Sequence, residues 1–337
     1  MFKDNELLNK NLVPIKVIST GTALPPDRIE AADLDKKLNK PAGYTLKRSG
    51  ILYRYHADHH LKQADLAAAA INDALTRCNI SAESIDLLIS ACALPVQALP
   101  YTAAHILKAS TLSKTIANFD VNTSCVSFIS ALQVAAGLLN TGAYKRIAIV
   151  SADLASRGLN WQDEESSLIF GDGAACAIVE KGDGYSGILA CLLETHTNGI
   201  DFCEISGGGS RRNIKTGMDE NDCLFRMQGK PLFRLASALI EPYLARLLNQ
   251  ANLTLSDIAT VIPHQASHLS LEHMRKRLTI PNESIIDIYR FRGNQVAASI
   301  PSALHEAVIT NRFNPGKPAM LIGTAAGLTL GGMILLP

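Results

Sequence analysis

Three side chains of this sequence have the types that thiol-based acyl chemistry requires, and each lies at a turn beside an apolar segment. Cys125 follows the strand-like segment 117–121 and directly precedes a predicted helix. At a helix N-terminus, free amide groups and the positive end of the helix dipole stabilise a thiolate, the nucleophilic form of cysteine. His264 follows the apolar segment 259–263, and Asn294 lies in a turn before another predicted helix. A thiol, an imidazole and an amide at three such turns suit covalent acyl transfer.

The other cysteines and the clustered histidines indicate no further chemistry. No two of the seven cysteines are closer in sequence than Cys191 and Cys203, which argues against a structural zinc site or a thioredoxin-like motif. The odd cysteine count in a long chain also disfavours a disulfide scaffold. His56, His59 and His60 lie close together, but no second ligand cluster accompanies them. We predict a solvated loop there and no metal site.

The composition is that of a folded protein with a large core. The chain has 337 residues, of which 47% are hydrophobic and 19% are charged, whereas a disordered chain has low hydrophobicity and high charge. At roughly 150 residues per domain, the length predicts about two domains. The net charge is only +1, so no global field favours binding to nucleic acid or to an anionic membrane.

Two segments bear on the location of the protein. Residues 319–337 carry no ionisable side chain and approach the length of a membrane span. Four glycines interrupt this segment, so we predict two buried strands joined by a glycine-rich turn. Residues 1–10 lack the apolar stretch of a signal peptide. We therefore expect a cytoplasmic protein without a membrane span.

Strand-like apolar segments alternate with helix-like segments along the chain, which predicts an α/β fold whose sheets are covered by helices. Strands are predicted at 15–19, 85–92, 117–121 and 146–151, and helices at 65–77, 101–109, 127–141 and 301–308.

Part of this pattern repeats at a nearly constant offset of 169 to 172 residues. The matched pairs are 85–95 with 257–267, the Cys125 turn with the Asn294 turn, and 145–153 with 317–325. A constant offset indicates two similar α/β halves, which we place at residues 1–185 and 186–337. The turns of both halves would then face a shared crevice, where open α/β sheets usually bind ligands.

Five ordered motifs give the sequence a resemblance to a known family. They are NTSCVSFISAL (122–132), IFGDGAA (169–175), VIPHQAS (261–267), RGNQVAASIPSAL (292–304) and GTAAGLTLGG (323–332). From about residue 13 to its C-terminus, the chain resembles β-ketoacyl-acyl-carrier-protein synthase III of the thiolase superfamily. The resemblance implies a thiolase-like fold, in which two pseudo-duplicated α/β halves form a layered αβαβα structure, and it implies a homodimer.

The resemblance also implies a reaction in fatty-acid or related lipid synthesis. An acyl-CoA or acyl-carrier thioester would acylate Cys125, and backbone amides of Cys125, Ala326 and Gly327 would form the oxyanion hole. A malonyl thioester would then lose carbon dioxide while His264 and Asn294 donate hydrogen bonds to its thioester oxygen. The resulting enolate carbon would attack the acyl-cysteine and give a β-ketoacyl product. This reaction requires no metal and no redox cofactor.

The substrate entrance implied by the resemblance departs from the family pattern. Tyr44 stands where the family commonly has tryptophan, Glu164 where it has arginine, and Lys230 where asparagine is typical. The residues assigned to substrate or coenzyme A binding are Arg48, Tyr44, Lys230, Phe233, Ser267 and Leu99, the last in a loop that reaches across a dimer into the neighbouring acyl pocket. An unchanged catalytic set behind an altered entrance predicts a divergent synthase with an altered donor or carrier, rather than the housekeeping initiator of fatty-acid synthesis. The resemblance also implies an acyl carrier protein as a partner.

Two polar features lie outside these motifs. The GGGS segment at 207–210 lacks the spacing of a phosphate-binding loop, so we predict a surface loop. A set of basic residues forms a candidate patch for an anionic carrier or a coenzyme phosphate, although such clusters are more often solvated faces. They are Lys47, Arg48, Arg54, Arg211, Arg212 and Lys230.

Two other functions are compatible with parts of the sequence. The acyl-cysteine could pass its acyl group to an oxygen, a nitrogen or another carbon nucleophile in secondary metabolism, and the altered entrance leaves this alternative open. The joint presence of His264 and Asn294 favours decarboxylative condensation instead. A non-catalytic subunit retained for dimerisation or carrier binding is disfavoured, because it would have no need to keep the cysteine, the histidine and the asparagine together.

Overall fold

Strands and helices alternate through residues 12–337, the part of the chain that a computed structural model of the protein describes. The segment in which we predict no signal peptide lies outside the described residues. The strands are β1 Val13–Pro14, β2 Lys16–Ala23, β3 Arg28–Glu30, β4 Tyr53–Tyr55, β5 Leu87–Ser90, β6 Ala117–Asp120, β7 Arg146–Asp153, β8 Gly173–Glu180, β9 Gly187–Thr195, β10 Cys203–Glu204, β11 Arg226–Met227, β12 Thr260–Pro263, β13 Ala319–Ala325 and β14 Thr329–Leu336.

The helices follow the apolar periodicity of the sequence, and the predicted elements agree with them to within a few residues. The helices are α1 Ala31–Lys37, α2 Tyr44–Ser49, α3 Gln63–Cys78, α4 Thr102–Ala109, α5 Ser127–Asn140, α6 Glu164–Ser167, α7 Gly229–Gln250, α8 His268–Arg277, α9 Tyr289–Arg292 and α10 Ser299–Ile309. The alanine-rich α3 ends at Asn79, whose left-handed backbone stops the helix.

Two five-stranded sheets have the same internal arrangement. The first has the order β2-β8-β7-β5-β6 and the second has the order β1-β9-β14-β13-β12. In each sheet a short strand pairs in parallel with a longer one, β5 with β7 and β12 with β13, and an antiparallel strand follows. A parallel bridge between Val261 and Ile285 stands where the first sheet has β6. This topology confirms the predicted α/β fold with two similar halves.

A layer of helices separates the two sheets. Phe128 of α5 and Leu304 of α10 belong to one buried cluster with Ile149 of the first sheet and Leu321 of the second. Both helices are apolar on most of their surface, as the middle layer of a protein requires.

Further helices cover the outer faces of the two sheets. Ile71 of α3 and Leu107 of α4 pack on the first sheet, and Tyr243 and Leu247 of α7 pack on the second. The resulting layers are helix, sheet, helix, sheet, helix, as predicted. The division of the chain at residues 185 and 186 stays a prediction.

The uncharged C-terminal segment is confirmed as two strands and a turn. β13 and β14 pair antiparallel from Ala319 opposite Leu335 to Ala325 opposite Thr329. Gly327 in the connecting turn has φ +124°, a backbone conformation that other residues rarely adopt. Within residues 12–337, no helix is both long enough and apolar enough to cross a bilayer.

β2 and α3 approach each other closely at Gly21 of β2. A Cβ atom at this position would lie 2.3 Å from the Ala74 nitrogen and 2.5 Å from the Ala70 oxygen of α3. Backbone atoms at such distances cannot move aside without displacing the helix. Glycine is therefore needed at position 21 for α3 to reach the sheet.

We expect Gly21→Ala to lower the free energy of unfolding by about 1–3 kcal/mol or more, because overpacking strains the contact between β2 and α3. The matched control is Gly137→Ala on the exposed side of α5, where a new Cβ has no atom within 4 Å. This second change should raise stability by about 0.5–1 kcal/mol through helix propensity. Urea unfolding measures both, and a Gly21→Ala protein as stable as wild type would contradict the packing argument.

Candidate active site

Cys125 lies in a tight turn between β6 and α5. The residue before it, Ser124, has φ +55°, a left-handed backbone that is uncommon for a residue with a side chain. The Ser127 hydroxyl donates to the Ser124 oxygen at 2.6 Å and accepts from the Thr123 nitrogen at 2.9 Å. These bonds hold the turn and leave Cys125 half-buried at the start of the central helix.

Opposing influences act on the pKa of the Cys125 thiol. The pKa of the thiol is raised to about 11; burial is the largest cause of the rise, and the Asp153 carboxylate contributes to it. The Ser124 hydroxyl, 3.8 Å from the sulfur, and the backbone amides of Ala326 and Cys125 lower it. The amide groups thus act as the sequence predicts, but burial outweighs them, so the resting group is a neutral thiol.

His264 follows β12 and is held from the side of β13. Its backbone nitrogen donates to the Ile322 oxygen at 2.8 Å, and the residue is only 5% exposed. Burial lowers the pKa of the imidazole to about 4, so the ring is neutral at physiological pH. Its Nδ1 atom has no hydrogen-bond partner among the described residues. The ring therefore retains unused hydrogen-bonding capacity inside the protein.

Asn294 lies in a turn that bonds to both halves of the molecule. Its backbone nitrogen donates to the Ile169 oxygen at 2.8 Å, and its backbone oxygen accepts from Gly171 at 3.0 Å. Its side-chain oxygen accepts from the Val296 nitrogen at 2.9 Å, and its Nδ2 donates to the Ala266 oxygen at 3.2 Å. The amide is thereby fixed beside the segment that follows β12, with one N–H left to donate.

The structure brings the turns that carry the three predicted residues next to one another. The Ala326 amide, in the turn between β13 and β14, faces the Cys125 sulfur. A Cβ atom on Gly323 of β13 would lie 2.8 Å from the His264 Cβ and 3.3 Å from a methyl group of Val126. The backbone of β13 thus lies between the histidine and the cysteine turn.

The remaining side of the cysteine is apolar. Cys125 packs against a buried cluster that includes Phe170, Val296 and Leu159, and Trp161 and Phe225 contact the same cluster. The Phe170 and Phe225 rings meet edge to face with centroids 5.0 Å apart. Apolar and aromatic side chains of this kind are typical of the lining of a site for an apolar ligand.

Four segments contact one another in a ring, which we call the rim. They are residues 40–50, α6, the first part of α7 and the first part of α8. Tyr44 donates a hydrogen bond to the Glu164 carboxylate, and the Lys40 ammonium is 2.6 Å from the same group. The other contacts close the rim in order. The Glu165 side chain of α6 lies against Gly229 at the start of α7. The rings of Phe233 in α7 and His273 in α8 have centroids 4.8 Å apart, and the His268 side chain of α8 lies against Gly50.

The predicted substrate-binding residues occupy different places. Arg48, Lys230 and Phe233 are exposed on the rim, and Tyr44 is half-buried against Glu164. Ser267 caps the N-terminus of α8, where its hydroxyl accepts from the Ser270 nitrogen at 3.1 Å. Leu99 is 84% exposed in the loop after β5, away from these contacts. Their roles in binding stay predictions.

The prediction that Arg54 belongs to an exposed basic patch is wrong. This residue is fully buried, because β4 points its two tyrosines outward and its central residue inward. The guanidinium donates to the backbone oxygens of Leu168 and Phe170 instead. Arg211 and Arg212 belong to the exposed loop that contains GGGS, as predicted, but they pair there with nearby carboxylates.

Sequence reasoning missed the buried carboxylate of Asp153 and the cluster around Phe170. The signal for Asp153 was available, since a charged residue ends the otherwise apolar strand β7 and a buried charge needs partners. The cluster has no such signal, because the apolar residues of segment 155–170 meet Cys125, Phe225 and Val296 only in the folded chain. Among the described residues, no three His, Cys, Asp or Glu side chains group as a metal site.

Comparisons with known proteins give one consistent family. Two family models match the chain, 3-oxoacyl-[acyl-carrier-protein (ACP)] synthase III at residues 119–199 and its C-terminal region at residues 248–336. The β-ketoacyl-[acyl-carrier-protein] synthase III of Clostridium perfringens is 31% identical over 320 residues, which cover 95% of this chain and 98% of that protein. The same enzyme of Syntrophomonas wolfei is 32% identical over 323 residues, covering 95% and 97%.

Structural comparison gives the same result. The crystal structure of 3-oxoacyl-[acyl-carrier-protein] synthase III from Aquifex aeolicus matches with a TM-score of 0.84 and 29% identity, over 96% of this chain and all of that chain. The fold and the site thus define a condensing enzyme of the thiolase-like class, an acyltransferase. Within that class, the chain belongs to the β-ketoacyl-[acyl-carrier-protein] synthase III family.

The burial of His264 predicts a pH dependence of stability. The pKa is about 4 in the folded protein and about 6.5 in the unfolded chain, so the unfolded state binds the proton more readily between these values. The contribution of the neutral His264 imidazole to the free energy of unfolding is therefore fully present above pH 6.5 and is lost as the pH falls toward 4. At pH 5, protonation of this group in the unfolded chain should lower the free energy of unfolding by about 2 kcal/mol relative to pH 7.5.

Urea unfolding of wild type and His264→Gln at pH 7.5 and pH 5.0 checks this expectation. Wild type should lose about 2 kcal/mol more than the variant between the two conditions, because the other titrating groups are common to both. Equal losses would show that the imidazole is not held neutral by burial.

Proposed function

We propose that this protein transfers an acyl group from a thioester to Cys125 and then condenses it with a malonyl thioester to give a β-ketoacyl product. The observation that carries the proposal is the buried, neutral His264 with an unused ring nitrogen, beside the same turns that hold Cys125 and Asn294. A neutral imidazole and a carboxamide can donate hydrogen bonds to a developing oxyanion without taking a proton from carbon.

In the first step, the Cys125 sulfur attacks the carbonyl carbon of the acyl donor. Its proton leaves with the donor thiol, so a thioester bond breaks as a new one forms. The amides of Cys125 and Ala326, which face the sulfur, are suited to hold the carbonyl oxygen as its charge develops. Because the resting thiol is neutral, deprotonation accompanies the attack and is not completed beforehand.

In the second step, the malonyl thioester loses carbon dioxide and the electron pair of that bond passes into an enolate. His264 and Asn294 donate to the enolate oxygen, and the α-carbon attacks the acyl group on Cys125. The carbon–sulfur bond breaks as the carbon–carbon bond forms, and the sulfur recovers a proton. No metal or redox cofactor enters this scheme, because the carboxylate itself supplies the electron pair.

The entrance and the surroundings complete the proposal. We assign the rim, with Arg48, Lys230, Tyr44 and Phe233, to the passage of an acyl-CoA or of an acyl carrier protein, whose phosphates would meet basic groups there. We further propose a homodimer in which the exposed Leu99 loop contacts the second subunit. Seven free cysteines fit a reducing compartment, so we place the enzyme in the cytoplasm.

The two half-reactions can be tested separately. Wild type incubated with acetyl-, hexanoyl- or lauroyl-CoA should gain the mass of one acyl group, and Cys125→Ala should gain none. Addition of malonyl-CoA, or of malonyl-loaded acyl carrier protein, should release a β-ketoacyl thioester. His264→Ala and Asn294→Ala should each keep the adduct but lose about 100- to 1000-fold in product formation, as is typical when one oxyanion donor is removed.

The outcomes separate the possible functions. An adduct that never gives a ketone product would favour acyl transfer to another nucleophile and overturn the condensation step. Absence of an adduct from every acyl-CoA and acyl-carrier donor would overturn the enzyme assignment. Equal loss of both half-reactions in His264→Ala would argue against a role confined to the enolate.

A further inference from the structure

Asp153 is a fully buried carboxylate that connects the two halves of the site. It ends β7, and its Oδ1 accepts from the backbone nitrogens of Leu94 at 2.8 Å and Ala93 at 3.1 Å. Its Oδ2 accepts from the Ala297 nitrogen at 2.9 Å. One side chain of the first half thus bonds the loop after β5 and the turn that carries Asn294.

The turn that Asp153 holds is strained. Val296 has φ +52°, and a β-branched side chain strongly disfavours this left-handed backbone. Such a conformation costs about 1–3 kcal/mol and persists only where surrounding bonds enforce it. Val296 donates to the Asn294 side-chain oxygen, and the next amide, that of Ala297, donates to Asp153. The two bonds fix the residues that orient the Asn294 amide.

We propose that Asp153 is the positioning residue for the condensation step: by holding the strained turn at Val296, it aims the Asn294 amide at the enolate oxygen. This inference rests on the proposed function, since it assigns Asn294 to the second half-reaction. Asp153 acts through the turn and does not touch the reacting atoms.

The electrostatics support a role in the second half-reaction and not in the first. The Asp153 charge raises the pKa of the Cys125 thiol, which opposes the first step. Burial raises the pKa of Asp153 itself to about 6, while its three amide bonds lower it, so the group is ionised at pH 7.5. An asparagine of the same size has only one acceptor atom and cannot serve both sets of amides.

Asp172 provides a matched control. Its carboxylate is also fully buried and also accepts from backbone amides, those of Ala57 at 2.7 Å and Ser156 at 2.8 Å. Neither amide belongs to the Asn294 turn, and the bond that Asp172 does make to that turn, from the Gln295 side chain at 3.0 Å, is to its backbone oxygen and is kept in a side-chain variant. Asp172→Asn therefore removes a comparable buried charge while the carboxylate contact to that turn is left in place.

The test compares Asp153→Asn and Asp172→Asn with wild type in both half-reactions at pH 7.5. Asp153→Asn should acylate Cys125 from acetyl-CoA within about 3-fold of Asp172→Asn, because the Asp153 carboxylate accepts no hydrogen bond from the cysteine turn itself and reaches it only through Ala93 and Asn122. Product formation at saturating malonyl thioester should fall by about 10- to 100-fold relative to Asp172→Asn. The loss should appear in kcat and not in KM, since a misaligned donor acts only as the enolate forms.

The same substitution made in the Val296→Gly protein separates a positioning role from general destabilisation. Val296→Gly relieves the strain, so in this background Asp153→Asn should cost less than 3-fold in product formation. If Asp153→Asn alone does not fold, the comparison of Val296→Gly with the double variant carries the test. A double variant that also fails to fold, or that loses product as the single variant does, would overturn the proposal.

Other outcomes have distinct meanings. If wild type forms adduct and ketone while Asp153→Asn matches Asp172→Asn in both steps, Asp153 has no positioning role. If Asp153→Asn loses both steps equally, its role is structural. If wild type itself forms neither adduct nor ketone, the proposed function has failed and this inference fails with it.

Discussion

Removal of water from the meeting point of the two sheets is the constraint on which the rest of the site depends. Burial keeps the His264 imidazole neutral and the Cys125 thiol protonated, and it lets Asp153 stay ionised only because three backbone amides surround it. A hydrogen bond in such surroundings is worth more than in water, and an unpaired polar group costs more. The His264 imidazole, whose Nδ1 has no partner among the described residues, is therefore in surroundings where a hydrogen bond to a ligand would be strong.

The duplicated fold explains how this site is built. In each half, a parallel pair of strands ends beside a turn that leads into a helix of the central layer, so the Cys125 and Asn294 turns approach each other from opposite sheets. Both turns contain a residue other than glycine in the left-handed region, Ser124 and Val296. Strain of this kind gathers at functional sites, where the surrounding structure is rigid enough to enforce it.

Tyr44 and Glu164 of the rim are positions at which the sequence predicts a departure from the family pattern, and the structure shows how these two side chains are held. Glu164 does not stand alone as an anion, because Lys40 and Tyr44 both bond to its carboxylate. The three groups link two segments that are 120 residues apart in sequence, which gives the entrance a fixed polar edge.

The sequence by itself determined the element types, the repeated halves and the three turns that carry Cys125, His264 and Asn294, because these follow from local periodicity and from spacing. It could not determine that Arg54 is buried, since the inward or outward direction of one side chain on a short strand depends on what packs against it. Nor could it determine the net effect on the Cys125 thiol, where burial by distant residues outweighs the nearby amides. The link from Asp153 to Ala297 spans 144 positions and exists only in the folded chain.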